Sequence, residues 1–319
     1  MKRVTSMGII IVLFTAILGA CENSNIAEQD VLNSVIATES VTVGAEINNM
    51  NNTSAFSIPQ ELEEIPEIYF SPATRQGTLV ELFYDTYESR TYARKTQQLE
   101  KRAIVYLPYG YSEDEQYNVF YLMHGGWGNE ETTLGTPERP SPLKNVIDNA
   151  IAAGEFESLI IVCPTYNNTS PEDSGNFSLA LELNRNYHNE LINDLIPAVE
   201  GAYSTYAESA SPEHLMASRD HRGFGGFSMG SVATWRTFQN ALDYFRYFMP
   251  MACGTTLDDE NIFAAAANRD PSDYFVLKFT GTEDFAFRYD ENRAELMCPF
   301  PRKKAGTAAK ICGINEGKR

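Results

Sequence analysis

The sequence predicts an α/β architecture: a central, mostly parallel sheet flanked by helices. Three observations lead there. Short apolar runs of strand length recur along the chain, helical runs separate several of them, and one strand-to-helix junction reads Gly226-Phe227-Ser228-Met229-Gly230. Strands alternating with helices build parallel sheets covered on both faces. In such sheets ligands collect beyond the carboxyl ends of the strands.

The chain has 319 residues, 43% of them hydrophobic, and a formal charge of -18. That is material for one large domain with a substantial core. The acidic balance argues against nucleic acid and against anionic membrane surfaces as partners. Residues 1–20 are expected to stand outside the fold. Lys2 and Arg3 give a positive start, and Met7 to Ala20 is an apolar run too short to span a bilayer comfortably. The run ends Leu18-Gly19-Ala20-Cys21, which resembles the signal of a bacterial lipoprotein, with Cys21 as the lipid-modified residue. The expected place is extracytoplasmic, with the membrane touched only through that anchor. Residues 21–62 are rich in Asn and Ser with little periodicity, and read as a flexible spacer.

The domain is expected over 63–297. Strand patterns fall at Leu79–Tyr84, Arg102–Leu107, Val119–Met123, Leu159–Val162, Gly223–Phe227 and Tyr274–Phe279. Leu143 to Ala153 and Ala180 to Val199 carry helical periodicity, and Val232, Ala233, Trp235, Phe238 and Leu242 fall near helical spacing after the serine. Cys163 and Cys253 read as small buried fillers. No CxxC or Cys/His pairing suggests a metal site. Residues 298–319 turn basic, with no strand-then-helix ending. Two readings are open: the true C-terminus, with a last strand and helix, has been replaced there by out-of-frame residues, or the run is a genuine short basic tail.

Ser228 sits on a G-x-S-x-G turn between a strand and a helix, the setting of a nucleophile elbow. Acyl transfer places negative charge on the former carbonyl oxygen, and that charge needs fixed N–H donors. The amide of Met229 is one candidate, and an amide of Gly126 or Trp127, in His124-Gly125-Gly126-Trp127-Gly128, is the other. Asp284, after the strand at Tyr274–Phe279, is the candidate acid, ahead of Glu283. Its role would be to hold an imidazole in the right tautomer. No histidine follows it. The sequence holds His124, His188, His214 and His221. His124 reads as a loop organiser, His188 as a packing or surface residue, and His214 as part of a polar loop. His221 lies up to about 23 Å from Ser228 along a strand at about 3.3 Å per residue. Trp127, Tyr166 and Phe285 follow strand ends, and either stack on an aromatic acyl group or pack locally.

Several stretches resemble carbohydrate esterase family 1 feruloyl esterases, especially the modules attached to xylanases. They are Tyr121 to Gly126, Tyr203 to Glu208, Ser218 to Gly230, Leu242-Asp243-Tyr244, Tyr247 to Pro250 and Gly281 to Asp284. The resemblance implies an α/β-hydrolase fold, a Ser-Asp-His triad without cofactor, and hydroxycinnamate esters of xylan-type polysaccharide as substrate. By position Ser228 matches the nucleophile and Asp284 the acid; the histidine has no counterpart.

Overall fold

The computed structural model describes residues 64–252, 259–278 and 312–313. Its strands are β1 (Thr78–Tyr87), β2 (Gln98–Leu107), β3 (Asn118–Met123), β4 (Leu159–Cys163), β5 (Arg222–Phe227), β6 (Tyr247–Met251), β7 (Phe275–Lys278) and β8 (Cys312–Gly313). The helices are α1 (Pro142–Ala153), α2 (Phe177–Glu190), α3 (Ile196–Ala202), α4 (Pro212–Ala217), α5 (Met229–Asn240) and α6 (Asp259–Ala267). The strands form one sheet in the order β1-β2-β4-β3-β5-β6-β7-β8. Strands β4, β3, β5, β6 and β7 run parallel, while β1, β2 and β8 pair antiparallel. The chain order reverses at β3, which has β4 on one side and β5 on the other, so a crevice opens between the carboxyl ends of β3 and β5.

Both faces of the sheet are covered. In β3, Val119, Tyr121 and Met123 enter one core with residues of α2, α3 and α5, while Phe120 and Leu122 enter the other with Leu143, Val146 and Ile147 of α1. The alternation is the two-residue period of a strand. It explains why the strands read as continuous apolar runs rather than alternating ones.

Four elements depart from the sequence expectation. The helix expected over Ala180 to Val199 is divided: α2 ends at Glu190, a π turn occupies Leu191–Leu195, and α3 begins at Ile196. Pro197 has no N–H to donate and its ring crowds the preceding turn, so the backbone widens before it. Strand β6 carries Pro250, which argues against an internal strand by pattern; it pairs inside the sheet opposite Gly226. In the C-terminal run, where no strand is expected, Cys312–Gly313 lies antiparallel beside β7. His214 also falls in α4 rather than in a loop. Cys163 is buried, as expected.

At the end of the sheet away from the crevice, Arg222 is 1% exposed and makes a two-pronged pair with Glu200, through Nε to Oε1 at 2.5 Å and Nη2 to Oε2 at 2.7 Å. Its remaining donors meet the carbonyls of Leu215 and Tyr244 and the hydroxyl of Ser218. Glu200 also accepts from Tyr121 and Thr205. The cluster ties β5 to β3, α3 and α4. Deleting one member leaves the other charge buried without a partner. Glu200→Ala is expected to lower unfolding free energy by about 3–5 kcal/mol, read as a shift in the urea midpoint at unchanged slope; a loss under about 1 kcal/mol would contradict a dry pair.

Candidate active site

Strand β5 hands directly into α5 through Ser228, whose backbone takes φ 54° and ψ −114°. That region is unfavourable for a residue with a side chain, costing on the order of 1–3 kcal/mol. The surroundings hold it in place. The Ser228 N–H donates to the carbonyl of Met251 at 3.0 Å, and its own carbonyl accepts from Ser231 and Val232 at 2.9 and 3.3 Å. The two flanking glycines are steric necessities. A methyl on Gly226 would lie 2.7 Å from the carbonyl oxygens of Gly230 and Met123. One on Gly230 would overlap the Met123 carbonyl oxygen and come within 2.8 Å of that of His124. The turn therefore packs backbone against backbone on the end of β3.

This packing leaves Ser228 half-buried with its hydroxyl free: no described residue hydrogen-bonds to Oγ, and it does not cap α5. The Met229 amide opens the helix and has no acceptor among the described residues. It lies at the positive end of the α5 dipole, beside the serine. The loop after β3 closes the other side. A methyl on Gly125 would sit 3.6 Å from Ser228 Cβ. The strand-to-helix serine and the glycine loop are thus neighbours across the β3/β5 crevice.

Between the two loop amides that the sequence left open, the structure selects one. The Trp127 N–H donates to the Ser174 carbonyl at 3.0 Å, so it is spent inside the protein and is not an oxyanion donor. The Gly126 N–H has no acceptor among the described residues. Trp127 takes φ 58° and its side chain is 80% exposed, above the segment containing Gly175. It remains open to a ligand ring. Tyr166 is different: it is 1% exposed, stacks on His124 at 4.6 Å between centroids, and donates its hydroxyl to the Gly125 carbonyl at 3.1 Å. Its ring is covered by protein, so local packing, not acyl stacking, is its role. Asp284, Phe285, Cys253 and Cys21 lie outside the described residues.

Sequence reasoning missed the polar shell that carries the glycine loop. Ser174 donates to the Gly128 carbonyl at 2.6 Å, and Asn167 donates to the Gly128 and Pro171 carbonyls at 3.1 and 2.6 Å. Thr165 meets His124 Nε2 at 2.8 Å, and its own carbonyl accepts from Lys101 at 2.7 Å. Nothing in the spacing of these residues marks them, because most of their partners lie dozens of positions away along the chain.

None of the four histidines offers a ring to Ser228. His124 is enclosed by Thr165, Gly125 and Tyr166. His188 on α2 neighbours Arg236, two turns along α5 from the serine. His214 pairs with Ser209 and Glu208. His221 stacks on Tyr206 and meets Asn118 at 2.8 Å, at the amino end of β3 and the far end of the sheet.

A profile of the family described as "Putative esterase" matches residues 96–255. The chain belongs to this esterase family. Endo-1,4-beta-xylanase Y of Acetivibrio thermocellus is 38% identical to it over 261 residues, which is 79% of this chain and 22% of that protein. The esterase chain thus spans about a fifth of the length of that curated relative, 22%. Among solved structures, a serine-to-alanine mutant of the feruloyl esterase module from Clostridium thermocellum, complexed with sinapinate, is similar at 37% identity and a TM-score of 0.61. The match covers 74% of this chain and 78% of that one. A second structure, of FAE, gives 38% identity and the same TM-score of 0.61 over the same shares, 74% and 78%. The mostly parallel sheet flanked by helices is the α/β-hydrolase arrangement that the family resemblance implied.

Burial, opposed by the Gly125 carbonyl and helped by nearby Lys101, pulls the His124 imidazole down to about 4. Unfolded, the same ring would titrate near 6.5. Between those values the unfolded chain takes up a proton that the native ring refuses. This contribution to stability is therefore complete above about pH 6.5 and is lost as pH falls toward 4. Ring-nitrogen NMR should show His124 neutral at pH 6, protonated at Nδ1, with a midpoint near 4; a midpoint at or above the free value would contradict the buried, hydrogen-bonded ring.

Proposed function

We propose that this esterase is a serine carboxylesterase of the feruloyl type, cleaving hydroxycinnamate esters of arabinoxylan. The observation that carries the reading is Ser228 on its strained turn beside the Met229 amide and the Gly126 loop, with no partner for the hydroxyl or for these two amides among the described residues. Similarity to the sinapinate-bound feruloyl esterase module supports the acyl group, and similarity to a xylanase supports the polysaccharide. Exposed Trp127 gives an aromatic acyl ring a surface to stack on.

The Ser228 hydroxyl attacks the ester carbonyl. The carbonyl oxygen takes up the electron pair and rests on the Met229 and Gly126 amides. The sugar alcohol leaves, and water releases the acid from the serine ester. From its position in the sequence, Asp284 is the acid we propose for the reaction. None of the four histidines of this sequence meets Ser228; working from the oxyanion donors and binding alone would give roughly 10³–10⁴-fold over water. One further observation favours a second reading, a glycan binder that keeps the hydrolase shape: no histidine ring lies against the nucleophile. Acetate in place of the hydroxycinnamate is a variant of the first reading.

Purified protein is expected to be labelled slowly at Ser228 by a fluorophosphonate and to release ferulate from methyl ferulate or decorated xylan. Both should vanish in Ser228→Ala. Turnover should be at least about 10³-fold below that of a triad-complete esterase. Release of acetate without ferulate would move the acyl assignment, and xylan binding with no labelling would establish the binder.

We further propose that acyl chains on Cys21 hold the domain outside the cytoplasm, with residues 22–62 as tether. Cys21→Ser should move the expressed protein from the membrane pellet to the soluble fraction; equal partition of both forms would remove the anchor.

A further inference from the structure

We propose that His124 and Tyr166 are positioning residues for the oxyanion hole, acting by clamping the carbonyl of Gly125. The inference rests on the ester-hydrolase reading above and deepens it. The Gly125 oxygen is held by His124 Nδ1 at 2.7 Å and by the Tyr166 hydroxyl at 3.1 Å. A carbonyl oxygen has two lone pairs, so both are engaged. The Gly125–Gly126 peptide is trans, and a trans peptide directs its C=O and N–H to opposite sides of one rigid plane. Fixing the oxygen inward fixes the Gly126 N–H outward, on the side away from His124 and Tyr166. That N–H has no acceptor among the described residues, and its loop lies against Ser228. Two adjacent glycines would otherwise let this plane rotate, since neither has a side chain to restrict it.

The clamp is itself held from behind. His124 must carry its proton on Nδ1 to donate to a carbonyl, so Nε2 is the acceptor and takes the Thr165 hydroxyl proton at 2.8 Å. Thr165 Oγ1 in turn accepts from the Asn167 amide at 3.0 Å. The Thr165 carbonyl accepts from Lys101, which pairs with Glu190 at 2.7 Å, both side chains being nearly inaccessible. The Tyr166 ring lies on the imidazole at an interplanar angle of 27°, so neither ring can swing without the other. The chain of contacts runs from the core to the one peptide that must not turn when charge develops. Donors that need no reorganisation at that moment are the effective ones.

The test uses the full chain and its Tyr166→Phe, His124→Phe and His124→Asn variants, with the double Phe variant, assayed on 4-nitrophenyl ferulate. Circular dichroism and thermal midpoints identify the variants that fold. Tyr166→Phe is expected to lower kcat about tenfold, and the double variant about 10²-fold or more, approaching the loss of one oxyanion donor. KM and the Kd for free ferulate should stay within about twofold, because the donor acts on the developing charge and not on the bound ester. His124→Asn, whose side-chain amide can still donate to the Gly125 oxygen, should retain more kcat than His124→Phe. A folded double variant with kcat within about twofold of the parent overturns the proposal. So does a rise in KM at constant kcat, which would mean that the rings touch substrate. If the parent shows no Ser228-dependent turnover, the ester-hydrolase reading fails, and the clamp is decided separately by crystal structures of parent and double variant. A rotated Gly125–Gly126 peptide in the variant supports it, and an unmoved peptide overturns it.

Discussion

Where the turn from β5 into α5 meets the end of β3, there is room for hydrogen atoms and nothing larger. The carbonyl of Met123 faces both Gly226 and Gly230 at distances that no β-carbon tolerates. This contact decides the rest of the site. It presses the first turn of α5 onto the strand end, which puts the Met229 amide beside the serine. It also forces Ser228 into a positive φ, which turns the hydroxyl away from the helix instead of onto it. The glycine loop follows from the same contact, because the residue after Met123 and His124 must begin within a side chain's breadth of the serine. An elbow built this way stores strain, and the strain is carried by neighbouring hydrogen bonds rather than relieved.

The sheet order explains why these pieces meet. Strands β3 and β5 are adjacent although some hundred residues separate them, and the chain reverses direction of growth at β3. A crevice at such a reversal is bounded by two loops that leave in opposite directions. One carries Ser228 and the other the Gly125–Gly126 peptide. At the opposite end, buried Arg222 and Glu200 fix the register from which β5 starts, so the serine turn is indexed from a charged cluster about one strand length away. Buried pairs of this kind add little net stability but tolerate few alternative pairings.

Behind the glycine loop the protein buries an unusual amount of polarity: His124, Thr165, Asn167, Ser174, Lys101 and Glu190 are all nearly inaccessible. Several of their hydrogen bonds end on backbone carbonyls of the loop or its neighbours. A glycine-rich segment has no side chains with which to hold itself, so its shape must be imposed from outside. Fully satisfied networks can do that at tolerable cost.

Much of the fold was legible in the chain. The strand runs, the α1 segment and the strand-serine-helix junction all appear where their periodicity and glycines put them, since burial on both faces of a parallel sheet writes itself into local composition. Local patterns failed where a non-local fact overrode them. Pro250 sits in β6 beyond the Tyr247 and Phe248 pairs with β7, and Pro197 divides a helix whose apolar stripe runs on regardless. The strand-to-helix junction around Ser228 was readable in the chain alone, because steric demands on glycine and the strand-to-helix switch are properties of neighbours in the chain. That the Trp127 amide is spent on Ser174, that Tyr166 is packed under the loop, and that none of the four histidines reaches the hydroxyl emerge only when the chain is packed. Those are contacts between backbone atoms and side chains far apart along the chain, and no period or spacing encodes them.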